Sequence, residues 1–274
     1  MVKIIGIDLD DTLLNSKREI NEFDKKMIQK ASDLGIKIVL TSGRPLVKTT
    51  IDFYKKLDIY KEKEYFIGYN GGAIYEVVGE KEIFSDYLNS REIREIHSSI
   101  DKRFDKEVCH YIHLASFVKF DNMNQYVNIE KTHNGIDLVE FDFNDITEDE
   151  WCYKYMVAAE PKVIDKVYKT IPKDIMDKYN VVVSMPCFIE FQHKNVSKWQ
   201  GLVKLASVLG VKEEEIMGIG DSGNDLSMIE NSHYGVCMGN GMDYIKKKAW
   251  FVTDTNDNCG VGKAIEKVLK EYDQ

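Results

Sequence analysis

Short apolar runs that stop abruptly at acidic or hydroxyl residues recur along this chain, and they limit its fold most. The first run, KIIGI at residues 3–7, ends at Asp8, and the run IKIVL at residues 36–40 ends at Thr41. A stretch with apolar residues at helical spacing follows the first run. Strands of this kind alternating with amphipathic helices are typical of a parallel sheet that is buried on both faces. The sequence therefore predicts an α/β fold.

The same texture returns near the C-terminus after a different central segment. Four later runs predict strands: CFIEFQ, EIMGIG, YGVCMG and AWFVTD. Between about residues 85 and 187 the chain is richer in aromatic and amide side chains. That segment mixes strand-like runs with helical patterns near 90–102 and 161–170. We therefore expect an α+β domain at 85–187, inserted between the two parts of a parallel-sheet core, 1–84 and 188–274.

Composition excludes several classes of protein. Acidic side chains outnumber basic ones by 46 to 37, and the net charge of −9 argues against a general nucleic-acid binder. Apolar runs are too short for a membrane span, and MVKIIGIDLDD reaches carboxylates too early for a secretory signal. The five cysteines are widely spaced and contain no CxxC, which favours reduced thiols. We expect a cytoplasmic protein that binds neither nucleic acid nor membrane.

Three acidic residues follow the first strand, in the loop Asp8-Leu9-Asp10-Asp11-Thr12. Carboxylates this close together resist ionising jointly unless something binds them. Ligands of parallel sheets bind at the carboxyl ends of the strands, which is where these acids fall. Two of these carboxylates could together hold Mg²⁺, or one could act as a nucleophile and the other as a proton-transfer group. The alternative is a solvated acidic loop.

A second acidic loop, GIGDSGND at residues 218–225, follows the EIMGIG run and contains Asp221, Asn224 and Asp225. Its glycines also spell the G-x-G-x-x-G of dinucleotide sites. Asp221 would repel a pyrophosphate in such a loop, and the next strand lacks the acid that holds a ribose. We therefore set the dinucleotide interpretation aside.

Two further segments carry groups that suit a phosphate. The loop Thr41-Ser42-Gly43-Arg44 could cradle one through backbone N–H groups and the Ser42 hydroxyl, or could cap the helix that Pro45 is predicted to start. Ser197 and Gln200 have the form of a capping box, which puts Lys198 in the first turn of a helix. A cation there is unfavourable unless it faces an anion.

Taken in order, these segments resemble the haloacid dehalogenase-like hydrolase superfamily, and more closely its Cof-type branch (subfamily IIB, with a C2-type cap). The lines that carry the resemblance span residues 4 to 265: IIGIDLDDTLL, VLTSGRP, YNGGAIY, SKWQGL, GIGDSGNDLSM, GVCMGNG and NDNCGVGKAI. The resemblance implies a Rossmann-like parallel-sheet core with an inserted α+β cap domain. It also implies that the cap sets substrate choice.

The resemblance further implies a phosphatase that uses Mg²⁺. Asp8 would attack phosphorus and form an aspartyl-phosphate, and Asp10 would protonate the leaving oxygen and then activate water. The implied metal site comprises Asp8, the Asp10 carbonyl, Asp221 and Asp225, with Asp225 orienting the others. The implied phosphate contacts are Leu9, Ser42, Gly43, Lys198 and Asn224. Arg44, Asn70 and Gly71 lie in loops expected to touch the substrate.

Asp10 also separates the activities found within this superfamily. Dehalogenases lack a general acid there, so Asp10 favours a phosphatase or a phosphomutase. A mutase needs a second phosphate-binding site, which is usually rich in arginine, and the chain has only five arginines. A non-catalytic phosphate-binding regulator would not need both Asp8 and Asp10. We therefore expect hydrolysis of a small phosphorylated metabolite: a sugar phosphate, a nucleotide or a cofactor phosphate.

Overall fold

The computed structural model describes residues 1–115 and 117–271 of the 274-residue chain. The chain forms two structural units. The first consists of Met1–Phe84 and the chain from Ser197 onward, and the second is Ser85–Val196. Because the chain of the first unit resumes after the second, the second unit is an insertion.

The strands of the described residues fall into three sheets. In chain order they are β1 (Ile4–Asp8), β2 (Lys37–Thr41), β3 (Tyr65–Gly68), β4 (Ala73–Glu76), β5 (Lys81–Ser85), β6 (Leu88–Asn89), β7 (Cys109–His113), β8 (Phe117–Phe120), β9 (Asp137–Glu140), β10 (Trp151–Cys152), β11 (Lys154–Ala158), β12 (Tyr179–Met185), β13 (Phe188–His193), β14 (Ile216–Gly220), β15 (Tyr234–Cys237) and β16 (Phe251–Val252). The first unit is built on an eight-stranded sheet in the order β16-β15-β14-β1-β2-β3-β4-β5. The second unit contains the sheet β12-β13-β11-β7-β8-β9 and the pair β10-β6.

The α-helices alternate with strands in the first unit and are interspersed among them in the second. In chain order they are α1 (Glu22–Asp33), α2 (Lys48–Lys56), α3 (Ser90–Ser99), α4 (Asn128–Asn134), α5 (Pro161–Thr170), α6 (Lys173–Lys178), α7 (Lys198–Leu209), α8 (Leu226–Asn231), α9 (Asp243–Lys246) and α10 (Gly260–Lys270). Across the described part of the chain, none of the helices combines the length and apolar character that crossing a membrane requires.

Buried apolar strands form the centre of the eight-stranded sheet. Every residue of β1 is buried, and β1 pairs in parallel with both β14 and β2. Leu202 and Leu205 of α7 pack with Ile4, Val39 and Ile67, so this helix covers one face of the sheet. Strand β4 runs antiparallel to β3. The predicted α/β fold with a mainly parallel sheet is confirmed.

The helix after β2 begins later than predicted. Pro45 lies in the preceding loop, and α2 starts at Lys48. The hydroxyl of Thr50 accepts the N–H of Val47 at 2.8 Å, which satisfies one of the donors that a helix start leaves open. This side-chain bond, and not the fixed backbone angle of Pro45, marks the start of the helix.

The second unit has an antiparallel sheet with helices packed against it. Ile93 of α3 and Val163 of α5 share one hydrophobic cluster with Ile112 and Val157 of the sheet. Val127, which immediately precedes α4, belongs to a second cluster with other sheet residues. Within the sheet, the pairs are antiparallel except for β8 and β9, which are parallel. The mixture of strands and helices is of the α+β type.

The second boundary of the insertion differs from the predicted one. Residues from 188 onward were expected to belong to the core, with CFIEFQ as one of its strands. Instead β13 pairs antiparallel with β12 and β11, matching Ile189 with Val183 and Phe188 with Ala158. The boundary therefore lies between Val196 and Ser197. An apolar run does not reveal which sheet it joins, and here the short turn after β12 favours pairing with the preceding strand.

Candidate active site

Loops at the carboxyl ends of β1, β2 and β14 bring the predicted site residues together. The three strands are parallel neighbours, so their carboxyl ends lie at one edge of the sheet. Lys198, at the start of α7, joins two of the loops. Its Nζ donates to Asp8 Oδ1 after β1 and, at 2.6 Å, to Asp225 Oδ1 after β14.

Three carboxylates gather around this lysine. One oxygen each of Asp8, Asp221 and Asp225 lies within 4.8 Å of the others. Burial, and then the charge of Asp225, raises the pKa of Asp8 well above its usual range and the pKa of Asp221 to about 6. Crowded carboxylate oxygens with excess negative charge suit a hard divalent cation. The donor set therefore fits Mg²⁺.

Lys198 is completely buried, which is costly for a cation unless it is paired. Burial alone would lower its pKa, but the charges of Asp225 and Asp8 raise that pKa above its ordinary value. The side chain is thus a permanent ammonium group at the centre of the acids. Its position follows from the local sequence, because Ser197 caps α7 and its Oγ accepts the Gln200 N–H at 3.2 Å. This is one half of the predicted capping box.

Both carboxylate oxygens of Asp225 have protein donors. Oδ1 accepts from Lys198, and Oδ2 accepts the backbone N–H groups of Asp221 at 3.0 Å and Ser222 at 3.1 Å. Asp225 therefore fixes the loop that carries Asp221. A second loop orients Asp221 as well, since Thr12 Oγ1 donates to its Oδ1 at 2.9 Å. Thr12 had no predicted role, although a hydroxyl residue in an acidic loop at a strand end is a usable signal.

The side chain of Asp10 lies against Arg44 and not among the other acids. Arg44 donates to both oxygens of Asp10, with Nε 2.9 Å from Oδ2 and Nη2 bonded to Oδ1. Ser42 lies in the same loop as Arg44, and its Oγ accepts the N–H of Arg44 at 3.1 Å. Arg44 was expected to touch substrate, and the structure assigns its guanidinium to Asp10.

Asn70 and Gly71 lie in the turn after β3 and hold other parts of the site. Asn224 Nδ2 donates to Asn70 Oδ1 at 3.1 Å, which ties this turn to the loop after β14. Gly71 lies against the start of α7, where a Cβ would come within 2.0 Å of the Ser197 carbonyl oxygen. Leu9, directly after Asp8, is buried.

Asn240 is a further residue near the site that sequence reasoning did not single out. It follows β15, and its Nδ2 donates to the Asp11 carbonyl at 2.7 Å. Its Oδ1 accepts the N–H of Asn256 at 2.9 Å. The available signal was its place in GVCMGNG, another loop at a strand end.

His110 and His113, in the segment CHYIH at residues 109–113, take no part in this acidic cluster. His110 and His113 lie in β7 of the second unit, at opposite-facing positions, as the strand period predicts. His110 Nδ1 is 2.8 Å from the Tyr155 hydroxyl, and His113 Nε2 is 3.1 Å from Glu130 Oε1. Burial lowers the pKa of His110 to about 3, so its imidazole is neutral at physiological pH.

Comparison with known proteins identifies the family. Residues 5–265 match the family described as haloacid dehalogenase-like hydrolase. The chain is 33% identical to YxeH of Bacillus subtilis over 277 residues, covering 98% of this chain and 99% of the relative. It is 31% identical to the 5-amino-6-(5-phospho-D-ribitylamino)uracil phosphatase YcsE of the same organism, covering 96% and 94% of the two chains.

A solved structure agrees with these relatives. The crystal structure of a haloacid dehalogenase-like hydrolase from Bacteroides thetaiotaomicron superposes with a TM-score of 0.83 at 30% identity. The match covers 98% of this chain and 100% of that one. The family model, the two relatives and the solved structure all indicate the same family. The chain therefore belongs to the haloacid dehalogenase-like hydrolase family and is a phosphatase.

Proposed function

We propose that this phosphatase hydrolyses a small phosphomonoester with the help of Mg²⁺, through an aspartyl-phosphate on Asp8. The observation that carries the proposal is the contact of Asp8 with Lys198 beside two further carboxylates. A carboxylate that attacks a phosphate dianion meets charge repulsion. Phosphoryl transfer therefore depends on positioned cations more than on elaborate covalent machinery.

Asp8 and Asp221, with the backbone carbonyl of Asp10, would hold the metal. Asp225 belongs to the same acidic cluster, but its oxygens already accept from Lys198 and from backbone amides. We infer that Asp225 orients Asp221 and Lys198. When bound, Mg²⁺ supplies charge neutralisation and polarises a phosphoryl oxygen.

The remaining steps belong to residues of the chain itself. Leu9, Ser42, Gly43, Lys198 and Asn224 would bind the oxygens of the transferring phosphoryl group. Asp8 attacks phosphorus as the ester bond breaks, and Asp10 gives its proton to the departing oxygen. Asp10 then takes a proton from the water that attacks the aspartyl-phosphate. Inorganic phosphate leaves, and Asp8 is restored.

We infer that the inserted unit governs which ester is accepted. The substrate class proposed is a sugar phosphate, a nucleotide or a cofactor phosphate. The relative YcsE is named for an ester whose phosphate sits on a ribityl chain attached to a uracil ring. An ester of that kind therefore belongs in any panel of candidate substrates.

The test is phosphate release from a panel of phosphomonoesters, with Mg²⁺ and with EDTA. We expect release that requires the metal, and a loss on the order of 10⁴-fold in the Asp8→Asn variant. In acid-quenched wild-type enzyme, mass spectrometry should find the phosphate on the peptide that contains Asp8. Asp24→Asn, which changes another buried carboxylate of the same unit, is the matched control and should keep the activity. Full release with EDTA, or by Asp8→Asn, would contradict the proposal.

A further inference from the structure

Arg44 grips the side chain of Asp10 from one side. Its guanidinium donates from two nitrogens to the two carboxylate oxygens, Nε at 2.9 Å from Oδ2 and Nη2 to Oδ1. The Arg44 side chain is only 14% exposed, whereas that of Asp10 is 43% exposed. A two-point contact of this kind fixes the plane of the carboxylate as well as its distance.

The backbone of Arg44 is itself held on both sides. Its N–H donates to Ser42 Oγ at 3.1 Å, and its carbonyl accepts the N–H of Tyr69 at 3.2 Å. The Asn70 N–H donates to the Ser42 carbonyl at 2.9 Å, which binds the same loop a third time. These hydrogen bonds fix the loop and therefore the direction of the guanidinium. Through the guanidinium, the loop also fixes the orientation of the Asp10 carboxylate.

Arg18 offers a contrast at the same carboxylate. Its Nη1 lies 3.7 Å from Asp10 Oδ1, beyond hydrogen-bond distance, and its side chain is 64% exposed. An exposed ion pair of this kind contributes little. Arg18 therefore brings positive charge near Asp10 without fixing its geometry, which makes it a natural control.

We propose that Arg44 is a positioning residue for proton transfer by Asp10. The inference rests on the proposed function. In the first step the Asp8–phosphorus bond forms and the ester bond breaks, while the Asp10 proton moves to the departing oxygen. The alcohol leaves neutral, and the resulting Asp10 carboxylate is held by the guanidinium of Arg44. The same orientation serves the second step, in which that carboxylate takes a proton from water.

Leaving-group dependence separates this role from phosphate binding. Phenyl phosphate and p-nitrophenyl phosphate have nearly the same shape, but p-nitrophenolate departs without help from an acid. The ratio kcat/KM reports the steps up to departure of the leaving group, so it is the quantity to compare. For Arg44→Gln we expect kcat/KM to fall by about tenfold to a hundredfold with phenyl phosphate, and by less than about threefold with p-nitrophenyl phosphate.

Three controls keep the result interpretable. Arg18→Gln should change both rates by less than about twofold. Asp10→Asn should show the same preference for the better leaving group, and adding Arg44→Gln to it should increase that preference no further, because the two residues act as a unit. Arg44→Lys keeps the charge but not the two-point contact, so we expect it to recover only part of the loss.

The outcomes distinguish this inference from the proposed function. Equal falls in kcat/KM of Arg44→Gln with both esters would overturn the role of Arg44. A further increase of the leaving-group preference in the double variant would do the same. Either result would leave the phosphatase mechanism standing. Wild-type enzyme that released no phosphate from either ester with Mg²⁺ would overturn both.

Discussion

Single residues in this site are held in forms that would be costly elsewhere. Lys198 is a buried ammonium whose partners are the carboxylates of Asp8 and Asp225. Asp11 has a left-handed backbone (φ 58°), a conformation that favours glycine. Asp tolerates this conformation better than most residues. At this scale the function depends on compensation, because the buried charge of Lys198 is offset by Asp8 and Asp225.

Replacing Lys198 by Met tests this compensation. The variant leaves buried carboxylates without their cation, and we expect the free energy of unfolding at pH 7.5 to fall by about 3 to 5 kcal/mol. The loss should shrink as the pH falls toward 5. The pKa values of Asp8 and Asp221 are raised in the folded chain. As the pH falls, these groups therefore become protonated at a higher pH in the folded chain than in the unfolded chain. Urea unfolding at the two pH values measures the effect.

Lys204→Met is the matched control for that variant, since Lys204 lies on the same helix and its Nζ is 3.9 Å from the centre of the Phe84 ring. We expect its cost to stay within about 1 kcal/mol at both pH values. A cost of Lys198→Met that does not change with pH would assign the loss to packing and not to charge.

At the scale of elements, the position of α7 decides where Lys198 points. The helix starts directly against the turn after β3, with Gly71 touching the Ser197 carbonyl. Gly71 has φ +103°, a conformation that favours glycine. The helix and the turn therefore lie too close together for a side chain at position 71.

We expect Gly71→Ala to disturb this contact. A methyl group would lie 2.0 Å from the Ser197 carbonyl oxygen, and both atoms are attached to backbone that cannot move cheaply. Gly79→Ala provides the comparison, because Gly79 also has positive φ (+83°) but nothing within 4 Å of the added carbon. We expect about 1 kcal/mol of destabilisation for Gly79→Ala from backbone strain, and at least about 2 kcal/mol more for Gly71→Ala.

Thermal or urea unfolding of the two variants gives the difference, and phosphate release gives its consequence. We expect Gly71→Ala to lose activity even where it remains folded, because Lys198 moves with the start of the helix. Similar stabilities for the two variants would show that the turn and the helix can separate at little cost.

The residues that the structure describes form two units, and each unit has hydrophobic clusters of its own. The clusters around Leu202 and around Ile229 lie within the first unit, and those around Phe191 and Met156 lie within the second. Each unit therefore buries its own apolar surface. The acidic cluster lies entirely within the first unit, so metal binding should stabilise that unit directly.

Binding of Mg²⁺ should raise the melting temperature in a way that depends on pH. Metal ligands must be deprotonated, so we expect little stabilisation at pH 5 and a growing effect as the pH rises through about 6, the pKa of Asp221. Without metal, the contribution of Asp221 to stability depends on pH in the opposite direction. The same raised pKa makes ionised Asp221 unfavourable in the folded chain, so its contribution to stability falls as the pH rises through this window.

Thermal melts with and without Mg²⁺ across pH 5 to 8 measure this. When the free metal concentration is well above the dissociation constant, each tenfold increase should add about 1.4 kcal/mol to the free energy of unfolding. We expect Asp221→Asn to abolish the effect and Asp24→Asn to keep it, although Asp24 is also a buried carboxylate with a raised pKa. A metal effect that survives in Asp221→Asn would move the site elsewhere.

Much of this protein follows from its sequence alone. Periodic apolar runs and their polar ends predict the strands β1, β2 and β14, the helix α7, and the loops that carry Asp8, Lys198 and Asp221. These are local patterns, set by residues a few positions apart. Their order along the chain is by itself enough to indicate the family.

Only the tertiary structure decided how these local pieces pair. It placed β13 in the sheet of the inserted unit. It also formed the hydrogen bonds from Thr12 to Asp221 and from Arg44 to Asp10. Each of these contacts joins residues from separate elements. The sequence shows that such groups lie at strand ends, but their partners depend on which strands become neighbours in a sheet. That choice reflects the free energy of packing the whole chain, which no short window of sequence contains.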